Sequence, residues 1–339
     1  MHSIRYDKIL IIQTAFIGDV VLATPIIEAL HSISETTSID ILVRKGNESL
    51  LKNHPKLNKI WTWDKKKNKI LNQVKLISSL RTEKYDLVIN LQRFLSSGLF
   101  TILSSAKISV GFNKNPLSFS FTYSVPHKIE NGIHETDRNL SLLKPLFGEL
   151  KASMMLYPNK SDFENTAKYK IKEYIVIAPT SVWFTKQYPM NKWVDLINSI
   201  NLDYNIYLIG GADDYTKINK TITQKAKRNC INLCAKLSLL ESTALMKDAK
   251  MCYVNDSAPM HMASSVNAAV TAVFCSTVTD FGFGPKSSKS FVVETNEKLT
   301  CRPCGLHGKK ECPEGHFDCA NKINTKQLLF SLNDDGKRN

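Results

Sequence analysis

The sequence predicts an α/β fold with two doubly wound parallel sheets. Three observations carry this. Apolar strand-like runs alternate with helix-like stretches from Ile9 to Val110, the alternation pauses over residues 113–172, and a second alternating series runs from Tyr174 to Cys275. A chain of 339 residues is also long for one core and suits two domains of about 100–200 residues each. The domains read as 1–156 and 173–330, the second ending in a cysteine-rich tail over 301–319.

Ile9–Ile12 is a continuous apolar run, as a strand covered on both faces requires. Ile26, Ile27 and Leu30 then recur at helical spacing. Ile39–Val43 and Lys59–Trp63 read as strands. Ile70, Leu71, Val74, Ile77 and Leu80 place one apolar side of a helix over Ile70–Leu80. Tyr85–Leu91, Ser96–Leu103 and Ile108–Val110 read as strand, helix and strand. Asn113–Ile133 is rich in Pro, Ser and aromatics and reads as irregular. His134–Phe147 reads as a helix with Leu140 and Leu143 inward, and the polar stretch Tyr157–Lys172 as a bridge between domains. The second series supplies strands at Tyr174–Ala178, Asn205–Ile209, Asn229–Cys234, Met251–Asn255 and Val270–Cys275. Its helices fall at Asn191–Ile200, Asp214–Lys225, Leu239–Asp248 and around His261–Ser265. Each half is thus Rossmann-like.

Hydrophobic residues at 43% and charged residues at 22% are ordinary for a soluble globular protein. No apolar run approaches the ~18 residues of a membrane-spanning helix. The run before Gln13 is shorter than the ~7–15 residues of a signal-peptide core, which predicts a cytoplasmic protein. The net charge of +14 favours anionic partners: nucleic acid, an anionic membrane surface or a phosphorylated small molecule. A Lys- and Asn-heavy composition with no single target explains it equally well. The basic residues are spread out, the densest run, Trp63–Lys69, is short, and no nucleic-acid-binding motif is evident, so nucleic acid is the weaker choice.

Open α/β sheets bind ligands at the carboxyl ends of their strands. Asp19 lies there, in AFIGD after the first strand. An Asp at this place caps a helix well. Proline inside a helix costs ~3 kcal/mol but is tolerated in the first turn, so Pro25 suggests a regular helix from Thr24–Pro25, with Asp19 on a loop or distorted turn. The functional reading is a carboxylate displayed as a general base, with Gly18 permitting a tight turn and close approach of a ligand. The turn holds one glycine rather than GxGxxG, which argues against a dinucleotide-dependent dehydrogenase.

Three loops in the second half match it. In Ala178–Trp193, Lys186 offers a cation to a phosphate or is a solvated loop lysine. In Ile209–Asp214, two glycines precede Asp213 and Asp214, which suit a helix start or a ribose. In Tyr253–Val266, Asn-Asp-Ser ends a strand, and the small residues Ser257 and Ala258 leave backbone N–H groups accessible for a phosphate. Capping by Asp256 or Ser257 is compatible with that.

Taken in order, FIGDVVLATPIIEAL, HETDRNLSLL, PTSVWFTKQYPMNKW, IGGADD, NDSAPMHMA and CRPCGLHGKKECPEGHFDC resemble the ADP-heptose:lipopolysaccharide heptosyltransferase family over nearly the whole chain. The GD pair alone is unspecific; GD followed by NDSAPMHMA and the cysteine tail is specific. The resemblance implies a GT-B architecture, with two Rossmann-like domains facing across a cleft, the acceptor mainly on the first and the nucleotide sugar mainly on the second. It implies Asp19 as the base, with Gly18 beside it, and Lys186 on the donor phosphates, with Thr180 and Ser181 in the same loop. Asp214, or Asp213 in its place, falls near the nucleoside ribose, where the family often has a longer Glu. Asp256, Ser257, Ala258, Met260 and His261 fall on the donor-binding loop. One departure concerns the acceptor: the family often carries a cation within a QxxxRS-like segment, whereas QRFLSS has Arg93 earlier and Ser96 at the expected place.

The resemblance further implies an inverting transfer of heptose onto the inner core of lipopolysaccharide by a peripheral protein at the inner face of the cytoplasmic membrane. No DxD motif suggests a catalytic metal, and no cofactor is expected for the reaction. Transfer of another nucleotide sugar to a different surface glycan, a non-catalytic nucleotide-binding protein of envelope assembly, and a sugar-nucleotide epimerase are the alternatives.

Of the eight cysteines, Cys230, Cys234, Cys252 and Cys275 sit in or near strand-like runs and read as packing residues. Cys301, Cys304, Cys312 and Cys319 open with a Cys-x2-Cys pair. They read equally as a structural zinc site or as a reduced, metal-free loop. A disulfide suits a cytoplasmic protein less well.

Overall fold

The computed structural model describes residues 6–130 and 132–333. They form two compact units, residues 6–129 with 133–157, and residues 158–333 with 130 and 132. The first contains β1 (Lys8–Gln13), α1 (Ile17–Ile33), β2 (Ser38–Arg44), β3 (Lys59–Trp63), α2 (Lys69–Thr82), β4 (Leu87–Asn90), α3 (Leu95–Leu103), β5 (Ile108–Phe112), β6 (Tyr123–Val125), α4 (Glu135–Leu140) and α5 (Lys144–Phe147). All six strands are parallel, in the order β3-β2-β1-β4-β5-β6. β1 is central, which is why Leu10, Ile11 and Ile12 are fully buried. The order reverses between β1 and β4, and the carboxyl ends of such neighbours open the crevice where α/β sheets take ligands.

The second unit repeats the plan. It contains α6 (Lys160–Ala167), β7 (Tyr174–Ala178), α7 (Met190–Ser199), β8 (Asn205–Leu208), α8 (Tyr215–Ile218), β9 (Ile231–Asn232), α9 (Leu239–Lys247), β10 (Met251–Asn255), α10 (Ala258–Ser265), β11 (Val270–Val273), β12 (Ser290–Val293), α11 (Asp318–Asn321) and α12 (Thr325–Asn333). Its parallel order is β12-β11-β10-β7-β8-β9, with the switch between β7 and β10. Trp193 and Tyr188 meet edge-on at 5.1 Å within its core.

Four expectations are corrected. First, α1 begins at Ile17, not at Thr24–Pro25, and Pro25 lies inside it. A proline there leaves carbonyls of the preceding turn without their usual donors. Here Thr24 Oγ1 donates to Val21 O at 2.7 Å, and Asn139 Nδ2 from α4 donates to Leu22 O at 3.0 Å. The helix therefore continues through the proline. Second, Ile70, Leu71 and Val74 are 75%, 62% and 60% exposed. The packed side of α2 is Gln73, Leu76, Ile77 and Leu80, and the polar Gln73 bonds Ser96 O at 3.0 Å. Third, the polar bridge contains α6, started by Asn159 and Asp162 bonding each other's backbone N–H groups at 3.0 and 2.8 Å. Fourth, the helix expected over Asp214–Lys225 is broken into a short turn, α8 and a wider turn over Asn219–Thr223. β6 and β12 lie at sheet edges and were not expected; both are short and partly exposed.

A buried polar cluster ties α1 to the end of the first unit. Glu28 accepts from Tyr157 Oη at 2.9 Å, lies 3.3 Å from His54 Nε2 and pairs with Lys56. Burial pushes the Glu28 carboxyl up, but the bonds from His54, Lys56 and Tyr157 outweigh it and hold it at about 2, against an ordinary 4.5. A depressed carboxylate stabilises the fold above its unfolded pKa and loses that contribution as pH falls through its folded one. Wild type should therefore lose about 3 kcal/mol from this group between about pH 6 and about pH 2, a loss that Glu28→Gln does not share. Urea unfolding of both proteins across that range checks it; parallel pH curves would refute it.

Candidate functional site

The crevice edge of the first unit displays Asp19. Phe16 precedes α1 as its cap and has no side-chain oxygen, so the capping role passes to the third helical residue. Asp19 Oδ2 accepts from Phe16 N at 3.1 Å. That bond fixes the carboxylate in the first turn of α1, at the positive end of the helix. Gly18 is the second residue of the helix and has no left-handed backbone, so it is not the turn glycine expected.

Glu135, Arg138, Arg93 and His127 share this electrostatic neighbourhood, and Lys65 stands beside the end of β1. Glu135, the first residue of α4, is raised in pKa by burial; Arg138 opposes that rise and the Asp19 charge adds to it. Arg138 is itself buried, and its Nε donates to Glu135 Oε2 at 2.7 Å. Arg93, three residues beyond β4, contributes positive charge to Glu135 and to His127. Burial, then Arg93 and Arg138, push His127 down to about 4, so it is neutral at pH 7. Lys65, just past β3, reaches the tip of β1 and donates to Thr14 O at 2.7 Å. Burial and the charges of Arg44 and Lys69 lower it to about 8. Asp19 and Arg93 were expected here. Glu135, Arg138, His127 and Lys65 were not singled out, although the i, i+3 spacing of Glu135 and Arg138 in HETDRN is a sequence signal for a paired charge.

In the second unit the loops after β7 and β10 are joined. Lys186 Nζ lies 2.6 Å from Asp256 Oδ2, and both side chains are largely buried. Thr277 Oγ1 donates to the same oxygen at 2.6 Å. Tyr188 N donates to Asn255 Oδ1 at 2.9 Å, which locks the two loops a second time. Behind them, Thr185 Oγ1 accepts from Ser276 Oγ at 3.0 Å and from Lys309 N at 2.7 Å. Arg302 Nε donates to Cys275 O and its Nη2 to Thr277 O, each at 2.8 Å. Gly308 has φ +74, and a Cβ there would lie 2.8 Å from Lys186 Cγ. The cysteine-rich stretch therefore braces the Lys186 loop through its backbone.

Neither Asp256 nor Ser257 caps α10. Asp256 bonds Lys186 and Thr277, and Ser257 Oγ donates to Asn255 O at 3.3 Å. Ala258 is the first residue of α10. Met260 and His261 lie on the donor-loop helix as expected, but their side chains are buried, and Met260 N donates to Ser257 O at 3.0 Å. Both thus belong to the packed part of α10. Thr180 and Ser181 are half-buried beyond β7, and Ser181 O accepts from Gln187 Nε2 at 2.7 Å. Asp213 is exposed, while Asp214 Oδ2 accepts from Gly211 N at 3.0 Å. Gly210 allows that approach, because a Cβ there would lie 3.1 Å from Asp214 Oδ2.

Cys230, Cys234, Cys252 and Cys275 are buried. Burial pushes the Cys234 thiol up to about 12, as suits an inert packing group. Cys301, Cys304, Cys312 and Cys319 are near enough to influence one another, and Cys301 Sγ lies 4.0 Å from His316 Nε2. Among the described residues, no group of three or more His, Cys, Asp or Glu side chains has a metal-holding arrangement.

The sequence profile of glycosyltransferase family 9 (heptosyltransferase) matches residues 73–316. The chain is 29% identical over 282 residues to lipopolysaccharide heptosyltransferase 3 of Escherichia coli, covering 77% of this chain and 82% of that one. Its fold matches the glycosyl transferase family 9 structure from Veillonella parvula with a TM-score of 0.82, at 19% identity and 97% coverage of both chains. It also matches the E. coli ADP-heptose lps heptosyltransferase II with a TM-score of 0.78, at 20% identity, covering 96% of this chain and 97% of that one.

Proposed function

This chain belongs to glycosyltransferase family 9, the heptosyltransferase family, and we propose on that premise that it transfers heptose from ADP-heptose to the inner core of lipopolysaccharide. The observation that carries the reading is Asp19 at the switch point of the first sheet, oriented by Phe16 N. The donor assignment is supported by the E. coli relative of the same fold, whose name includes ADP-heptose, and the acceptor by the E. coli lipopolysaccharide heptosyltransferase 3.

The step is a single displacement with inversion. An acceptor hydroxyl gives its proton to Asp19 as its oxygen bonds to the anomeric carbon, and the bond from that carbon to the diphosphate oxygen breaks. ADP leaves. Its developing charge is met by Lys186, held in place by Asp256, and by backbone N–H groups at the start of α10. Asp213 and Asp214 stand beside β8 for the ribose, with Thr180 and Ser181 at the donor phosphates. Arg93 lies on the acceptor side. No step is assigned to a metal, and loss of turnover on chelation would overturn that part.

Among the described residues, no helix is long and apolar enough to cross a membrane. The proposed place of action is the inner face of the cytoplasmic membrane, where the acceptor is built. The departure at QRFLSS favours, as the second reading, another nucleotide sugar and a different surface glycan.

Thermal unfolding with ADP, UDP, GDP, CMP and NAD separates these. A nucleotide at 100 times its Kd stabilises the fold by ~2.7 kcal/mol. A selective response to ADP is expected, followed by ADP release from ADP-heptose only when acceptor is present. A selective response to UDP or GDP would move the donor, and ADP release without acceptor would replace transfer by hydrolysis.

A further inference from the structure

The first unit carries an apolar surface that its core leaves uncovered. Ile70, Leu71 and Val74 at the start of α2 are 75%, 62% and 60% exposed, and Phe94 and Leu95 at the start of α3 are 65% and 53% exposed. The two helix starts are joined. Gln73 Nε2 donates to Ser96 O at 3.0 Å, and Trp63 below them packs edge-on against Phe100 of α3 at 5.1 Å. The exposed apolar residues of the two helices therefore start from neighbouring elements at one edge of the sheet.

Its charge is one-sided. Lys66, Lys67, Lys69 and Lys75 are exposed on and beside α2, and Asp64 at the end of β3 pairs with Lys45 at 3.0 Å and accepts from Lys66 N and Lys67 N. No acidic residue occurs over 65–82 or over 87–129. The two acids between those stretches, Glu83 and Asp86, precede β4 at the opposite end of the strands, where Glu83 pairs with Lys8 and Lys59 and Asp86 with Lys107. The patch follows β3 and β4, so it lies on the carboxyl edge of the sheet, the edge that displays Asp19.

Exposed large apolar groups beside lysines, with the neighbouring acid Asp64 already paired to Lys45, suit a partner that is apolar within and negative at its surface. A lipid bilayer with anionic headgroups has that layering: the apolar side chains reach the boundary of headgroup and acyl chain, and the lysines meet the phosphates. A protein partner of ordinary composition would meet this surface with acids of its own and without that layering. We propose that the starts of α2 and α3 dock this protein onto an anionic phospholipid bilayer, with its acceptor crevice turned toward the membrane. The purpose of that orientation rests on the proposed transfer to a lipid-borne acceptor; the docking itself does not.

Flotation of the full chain with vesicles of phosphatidylglycerol and phosphatidylethanolamine, and with vesicles of phosphatidylcholine alone, tests it. Wild type is expected to float with the anionic vesicles and not with the neutral ones, and to be released by salt. The triple variant Ile70→Ser, Leu71→Ser, Val74→Ser should bind at least about tenfold more weakly. The pair Lys66→Gln, Lys67→Gln should also bind more weakly, and both variants should unfold thermally as wild type does. Equal binding by wild type and both variants would overturn the proposal, as would equal binding to neutral vesicles. A wild-type dimer that the triple variant converts to monomer, without vesicle binding, would make the face a contact between copies. Vesicle binding by a protein that fails to use ADP-heptose would leave the docking standing and remove only the transfer reading.

Discussion

Asp19→Asn is expected to lower the transfer rate by about 10²–10⁴-fold, the range a positioned general base contributes, and to leave nucleotide binding unchanged. The substitution is chosen for what it keeps. An amide oxygen can still accept from Phe16 N, so the start of α1 should survive. What it removes is the capacity to take a proton. Glu135 is a carboxylate close enough to feel the Asp19 charge. Burial raises its pKa and Arg138 occupies its Oε2, so it is poorly placed to replace an ionised base. Single-turnover kinetics with ADP-heptose, beside an ADP binding isotherm, make the measurement. Wild-type turnover in the variant would remove Asp19 from the chemistry, and lost ADP binding would show a folding defect instead.

Lys186→Met is expected to damage stability and donor use together. Asp256 has a side-chain exposure of 6%, and its ionic partner is Lys186 at 2.6 Å. Removing one member of a buried ion pair typically costs about 3–5 kcal/mol, because the remaining charge stays desolvated. Thr277 alone cannot compensate a full charge. The double variant Lys186→Met, Asp256→Asn removes both charges and should recover most of the stability while leaving donor use impaired. Asp256→Asn alone should keep the Thr277 bond but release Lys186, raising the donor KM. Denaturant unfolding and donor kinetics on the three variants complete the cycle. Additive stability losses would contradict the pairing, and an unaltered donor KM and kcat in Lys186→Met would end its role at the phosphates.

The fold was largely legible because its signals are local. A strand covered on both faces is an apolar run, and a helix after it repeats its apolar groups every three or four residues. The signal failed where local rules are answered from a distance. α6 was missed because its start is polar and two of its buried groups, Asp162 and Thr166, are polar too. The side of α2 was misread because Gln73 faces inward to bond Ser96 O, while three apolar residues face out. In the site, Asp19, Lys186 and Asp256 stood out by position after strands. Thr185, Thr277 and Arg302 did not, since an ordinary Thr or Arg carries no mark of the backbone it will hold.

The sequence by itself determined the two-sheet α/β plan, the loops that bear chemistry and the excess of positive charge. These depend on hydrophobic periodicity and residue type over short stretches. Only the tertiary structure decided which strands are neighbours, and therefore where each switch point opens. It also decided that Asp19 belongs to a helix that runs through Pro25, because Asn139, 117 residues from Leu22, supplies a donor to a carbonyl of the interrupted turn. It turned Asp256 from a candidate cap into the anchor of Lys186, by bringing Thr277 and the loop after β7 to the same oxygen. The physical reason is common to these cases. A backbone or carboxylate oxygen must find a donor somewhere, and when local donors are missing the choice passes to residues that only folding brings near.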